Sequence, residues 1–256
     1  VFGGLDFTGR ELPAKSHKRF FERLHKDNKN DPANSLEVVV HIGEVYFDKS
    51  IESAIRWCHE YAELGVKRMA HCIALGLDPK VALSRRPGAH TEEAVSERID
   101  QIDYDLKYCQ QLEERGVEID TDKLEREKLE LEELDPMEVT ISAYDEKRVA
   151  ELRIRQDFVL EVIKEKGIVI ETCPTSNLLI GGIPAIEHHP FRKFFDTKQK
   201  LAICTDDPGI FNSTISSEVD FVLQSMAIDQ DEFADRMSEL MSYRLSANRS
   251  LCSEID

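Results

Sequence analysis

The sequence predicts an α/β protein built on a parallel sheet, and two observations lead to it. Five short apolar runs, residues 1–7, 38–45, 66–75, 167–173 and 201–204, alternate with amphipathic stretches, the rhythm by which helices connect parallel strands. Three of the runs also end in chemistry: His41 and Glu44 close the second, His71 lies in the third, and Asp206 and Asp207 follow the fifth. Parallel sheets gather active groups at the carboxyl ends of their strands. A His, a Glu, a second His and two Asp at such ends read as a metal-assisted hydrolase site.

Taken in order, the run 1–7 is a strand that stops before Gly9, and the run 38–45 is a second one. Residues 50–64 then form a crossover helix: Ser50 caps it, Ile51, Ile55, Cys58 and Ala62 share one face, and Gly65 stops it. After the third strand, residues 77–146 interrupt the rhythm as a helical acidic insertion between barrel-type portions 1–76 and 147–256. Within it, Val95, Ile99, Ile102, Leu106, Cys109 and Leu112 recur at three- and four-residue steps, so 91–115 is predicted as one helix with a buried stripe. Residues 117–138 hold ten acids against three bases. They read either as a solvated excursion or as a docking element for assembly or for covering the active site, with Leu124, Leu129, Leu131 and Leu134 to bury. A second crossover helix, 149–166, ends at Gly167; the last strand meets Pro208, which stops it; and the tail 217–248 is again helical.

Composition narrows the function. With 256 residues, 41% of them hydrophobic, the chain buries a full core as one large domain or two small ones. Its 33 basic and 50 acidic residues leave a net charge of −17, which disfavours nucleic-acid phosphates and anionic membranes and suits a small neutral or cationic substrate. Six cysteines without a C-x-x-C pair point to reduced thiols and a cytoplasmic setting. No apolar run approaches the roughly 18 residues of a membrane span, and no signal peptide is visible. The chain opens without Met in a strand-like run, which points to residues upstream.

Four segments carry a resemblance. His41-Ile-Gly-Glu44, Glu171-Thr-Cys-Pro-Thr-Ser-Asn177, His189-Pro-Phe191 and Thr205-Asp-Asp-Pro-Gly-Ile-Phe211, in this order, resemble the adenosine deaminase family of metal-dependent hydrolases. The likeness runs from residue 1 to about 247 and skips the insertion. It implies the C-terminal portion, about five β/α units, of a TIM (β/α)8 barrel. A full barrel takes roughly 250 residues; the resemblance matches residues 1–9 to the family's fourth strand and so implies that the first three strands are the missing ones. The implied reaction is hydrolytic deamination of adenosine, or of a related adenine nucleoside or nucleotide, by a metal-activated hydroxide.

The same resemblance implies roles. His41 and Asp206 match metal ligands, with Asp206 also orienting the attacking water. Glu44 matches the proton donor to the purine ring nitrogen, which needs a raised pKa of the kind burial provides. His71 matches the histidine that holds the hydroxide, although Ala70 and Cys72 flank it where the family usually has glycines. Gly9 and Asp207 match substrate-binding positions at the purine. The implied cofactor is Zn2+, two of whose ligands come in the family from a His-x-His pair that this sequence lacks. Two donors fall short of a zinc site, so weak zinc binding is expected. The H-x-E and P-C-x-x-C pattern of nucleic-acid deaminases is absent too.

Each residue has a plainer reading. Asp206 is placed to cap a helix at Pro208, Gly9 to make a turn, His41 to end a strand with a hydrogen bond, and Glu44 to sit in a surface loop. His188 and His189 are adjacent, and adjacent positions rarely aim at one metal, while His17, His25, His59 and His90 read as surface residues. Two rival functions stand beside deamination: a deaminase-fold assembly or binding module with little activity of its own, and a different amidohydrolase reaction such as deacylation. An open five-strand barrel leaves sheet edges bare. The expected partners are therefore the purine substrate, the missing N-terminal barrel segment and a second chain, in an oligomer.

Overall fold

The computed structural model describes residues 4–86, 90–226, 228–243 and 245. Strand β1 (Gly4–Phe7) leads through helix α1 (Lys18–Asn30) to β2 (Glu37–Ile42), and α2 (Ile51–Glu63) returns the chain to β3 (Arg68–His71). Short helices α3 (Ile73–Gly76) and α4 (Pro79–Ser84) open an excursion of β4 (His90–Ala94), α5 (Val95–Lys107), α6 (Cys109–Glu113), α7 (Thr121–Glu132) and β5 (Val139–Ala143). The rhythm resumes with α8 (Glu146–Glu165), β6 (Val169–Thr172), α9 (Pro174–Leu179), α10 (Phe191–Asp196) and β7 (Lys200–Ile203). Helices α11 (Pro208–Phe211), α12 (Ile215–Met226) and α13 (Gln230–Met237) follow.

The main sheet has the order β1-β2-β3-β6-β7, and every neighbouring pair is parallel. This is the predicted architecture, with strands ordered as in the sequence. Among the described residues β1 and β7 are its edges. Alternation sorts the side chains. Val38, Val40 and Ile42 of β2, Ile170 of β6, and Leu201 and Ile203 of β7 pack into the main core with Ile51, Ile55 and Cys58 of α2 and Leu152, Val159 and Ile163 of α8. Each such side chain contributes about 1.5–3 kcal/mol by leaving water. The opposite face mixes buried apolar residues, Val39, Val169 and Ala202, with Asp6, His41 and an Arg68–Glu171 ion pair.

Helix α2 forms as predicted: the Ser50 hydroxyl accepts from the Ser53 N–H at 3.1 Å, and Gly65 stops the helix at φ +84°. Several predicted bounds need correction. The second run stops at Ile42 because Gly43 turns with φ +71°. The third breaks at His71 and Cys72, both in the left-handed region, and 73–76 is helical. The predicted helix 91–115 begins only at Val95, because residues 90–94 pair antiparallel with 139–143. Neither strand of that hairpin is legible from the acidic sequence around it. Of the four leucines offered for burial, Leu131 is buried with Val95 and Ile102, and Leu124 packs against them, whereas Leu129 and Leu134 are exposed. His59 is not a surface residue; it is buried and paired with the Tyr104 hydroxyl at 2.6 Å.

The excursion is clamped to α2 and α8 by polar contacts. The buried Glu93 accepts from the Ser50 N–H and the Ser53 hydroxyl, both at 3.1 Å. The Arg155 guanidinium makes a two-pronged contact with Asp105 at 2.5 and 3.0 Å. No helix among the described residues is long and apolar enough to cross a membrane.

Candidate active site

The predicted residues meet at the carboxyl end of the sheet. His41 lies in β2 next to Ala70 of β3, and its Nδ1 is 3.1 Å from His71 Nε2. Gly43 then reverses the backbone; a Cβ there would lie 2.8 Å from Cys58 Sγ, so no larger residue fits. The turn is held from outside by Glu11, whose carboxylate accepts the backbone N–H groups of Gly43, Glu44 and Val45 at 3.1, 2.8 and 2.9 Å. Glu44 is thereby aimed at His71, with Oε1 at 3.5 Å from His71 Nδ1. That Glu44 oxygen is buried and accepts no hydrogen bond.

Electrostatics follow from this packing. Burial first, then Asp206, then Glu11 push the Glu44 carboxyl up to about 7. His71 is held well below its ordinary value, chiefly by burial and next by His41. Both effects keep the neutral forms at the site. Glu11 is itself raised by burial, against three backbone hydrogen bonds and Lys49 that favour its charge.

Asp206 sits past β7 with φ 56°, a left-handed conformation that costs a residue with a Cβ about 1–3 kcal/mol. Its Oδ2 accepts from the Ser176 hydroxyl at 2.6 Å. The helix-cap reading does not hold for it: the N-cap of α11 is Asp207, whose side chain makes no cap hydrogen bond. His71, Cys173 and Asp206 each place one donor atom within 4.8 Å of the others. His41, Glu44, His71 and Asp206 are therefore neighbours. Gly9 and Asp207 lie beyond β1 and β7, the two edge strands, and both are exposed. Gly9 has φ +92° and open space above it. Cys72, next to His71, takes φ 51°, a left-handed conformation that favours glycine.

His41 and Asp206 offer imidazole and carboxylate donors, types that zinc takes, whereas the donor cluster within metal distance among the described residues is His71, Cys173 and Asp206. Cys173, in that cluster, is buried, and burial pushes its thiol above the ordinary range. Sequence reasoning missed four supporting residues. Ser176 and Asn177 lie inside the Glu171–Asn177 motif, and His189 lies in another, so the resemblance was the available signal for all three. Glu11 had none; only the fold separates it from any surface acid.

The chain is similar to known proteins over part of its length. A family profile described as adenosine deaminase matches residues 142–249. An adenosine deaminase of Plasmodium gallinaceum is 31% identical over 80 residues, 31% of this chain and 22% of that protein. An adenosine deaminase-like protein of Drosophila melanogaster is 26% identical over 87 residues, 34% of this chain and 26% of that protein. Among solved structures, the adenine deaminase of Arthrobacter aurescens matches with a TM-score of 0.52 at 13% identity, over 97% of this chain and 50% of that one. The sequence matches thus span about a quarter of those two relatives, and the fold corresponds to half of a deaminase barrel.

Proposed function

We propose that this chain, which resembles the adenosine deaminase family over part of its length, serves hydrolytic deamination of adenosine or a close adenine nucleoside or nucleotide. The carrying observation is Glu44: a half-buried carboxyl, raised to about 7, with one unpartnered oxygen beside His71 and Asp206. A group in that state holds a proton near neutral pH and can release it. In this reading water adds to C6 of the purine while Glu44 gives its proton to N1; the C6–N bond then breaks, one of the water's two protons leaves with ammonia, and the other restores the Glu44 carboxyl. Asp206, pinned by Ser176, orients the water, and His71 faces the charge that develops on its oxygen. Gly9 and Asp207 meet the purine edge at the mouth.

A zinc ion, where bound, supplies Lewis-acid activation of the water, and His41 and Asp206 are the residues of this chain that would hold it. The strong negative charge of the chain favours a nucleoside over a nucleotide.

The test is ammonia release from adenosine and from AMP in the presence of zinc. The chain by itself is expected to turn over slowly or not at all, because two donors are lacking. Co-expression with a β/α segment bearing His-x-His is expected to raise both zinc content and rate. No rise on reconstitution would favour the assembly or binding module instead, a reading supported by the two open sheet edges.

A further inference from the structure

Behind the site lies a buried polar chain that the reaction as described does not use. His189, 3% exposed, precedes α10, and its Nδ1 accepts the backbone N–H of Phe191 at 3.0 Å. A backbone N–H only donates, so Nδ1 is bare and the single proton of a neutral imidazole sits on Nε2. Burial keeps the ring neutral, holding His189 down to about 3. Nε2 in turn faces Asn177 Oδ1 at 3.3 Å. This orients the Asn177 amide, fully buried, so that its Nδ2 donates to His71 Nδ1 at 3.0 Å. His71 then carries its proton on Nε2, the nitrogen directed at His41 Nδ1.

We propose that His189 is a positioning residue, which acts through Asn177 to fix the tautomer of His71 so that an N–H rather than a lone pair faces the reacting water. Its purpose rests on the deaminase reading, but its geometry does not. The order of donors is set from one end by a main-chain N–H, and every side chain in between is buried. Without His189 the Asn177 amide is free to turn and present its oxygen. His71 would then move its proton to Nδ1 and offer a bare Nε2. A histidine in that form repels a developing oxyanion instead of donating to it.

The experiment is multiple-bond 1H–15N correlation on the full chain with 15N-labelled histidine and asparagine, without added metal. The wild-type chain is expected to show His71 protonated on Nε2, with a coupling through the hydrogen bond from Asn177 Nδ2 to His71 Nδ1. Free imidazole also favours Nε2–H, so the variants decide. Asn177→Asp, which can only accept, should place a proton on His71 Nδ1. His189→Phe should shift the tautomer ratio toward Nδ1–H by about tenfold, as expected of one buried hydrogen bond. His189→Gln, which keeps a donor, should restore it. The proposal is overturned by a folded Asn177→Asp chain with Nδ1 still bare, or by an unchanged ratio in folded His189→Phe. If neither variant folds, absence of the Asn177–His71 coupling in the wild type overturns it and its presence supports it. A chain without deaminase activity leaves these outcomes intact, so the two readings fail separately.

Discussion

At Glu44 the ordinary carboxyl value of 4.5 rises to about 7, with burial the largest cause and the charges of Asp206 and Glu11 next. In the reconstituted enzyme the rate should fall as pH rises through about 7, where the acid loses its proton. Glu44→Gln should lower kcat by about 10²–10⁴-fold, and steady-state assays across pH check both. Stability should follow the same group. The folded form prefers the neutral carboxyl, so its contribution is complete below pH 4.5 and is lost as pH climbs from 4.5 to about 7. Urea unfolding of wild type against Glu44→Gln should show that gap widening over this window. Glu11→Ala tests the turn itself: three backbone donors lose their acceptor. The expected cost is about 1–3 kcal/mol, with the alkaline limb moved to lower pH because one of the charges raising Glu44 is gone. Of these residues, Glu44 was legible from its place after an apolar run. Glu11 was not, because a carboxylate bound to main-chain N–H groups leaves no trace in its own neighbourhood of sequence.

Single elements separate in the same way. Helix α2 was legible because Ser50, the 51-55-58-62 stripe and Gly65 state its start, face and stop locally. The β4–β5 hairpin was not. His90–Ala94 and Val139–Ala143 lie about 45 residues apart in sequence, and their pairing depends on α5 and α7 closing the gap. The excursion reaches the barrel portion through buried charge, so truncating one partner should be costly. Arg155→Ala strands Asp105 in a buried position and is expected to lose about 3–5 kcal/mol. Arg115→Ala, which breaks an exposed pair with Glu161, should lose about 1 kcal/mol or less. Thermal unfolding of the two variants gives the comparison.

At the scale of the molecule the edge strands β1 and β7 dominate. Among the described residues these two strands are the edges of the main sheet, and edge strands invite pairing. The chain alone is expected to associate, and multi-angle light scattering is the check: a monomer that unfolds cooperatively would contradict this. Zinc analysis of the same sample should find less than one tightly held ion per chain; stoichiometric zinc would mean that the donor set has been misjudged.

The pairing of β3 with β6 reaches further than geometry. Arg68 lies beside Val169, a separation of 169 − 68 = 101 residues that encloses the entire excursion and α8. Bringing those strands together closes a long loop before any hydrogen bond rewards it, and parallel pairings of this kind are slow to form. The β1–β2–β3 units have short connections and close early. The two halves of the main sheet therefore have different clocks, and the order in which the chain acquires its structure puts His41 in place before Asp206 has anything to face.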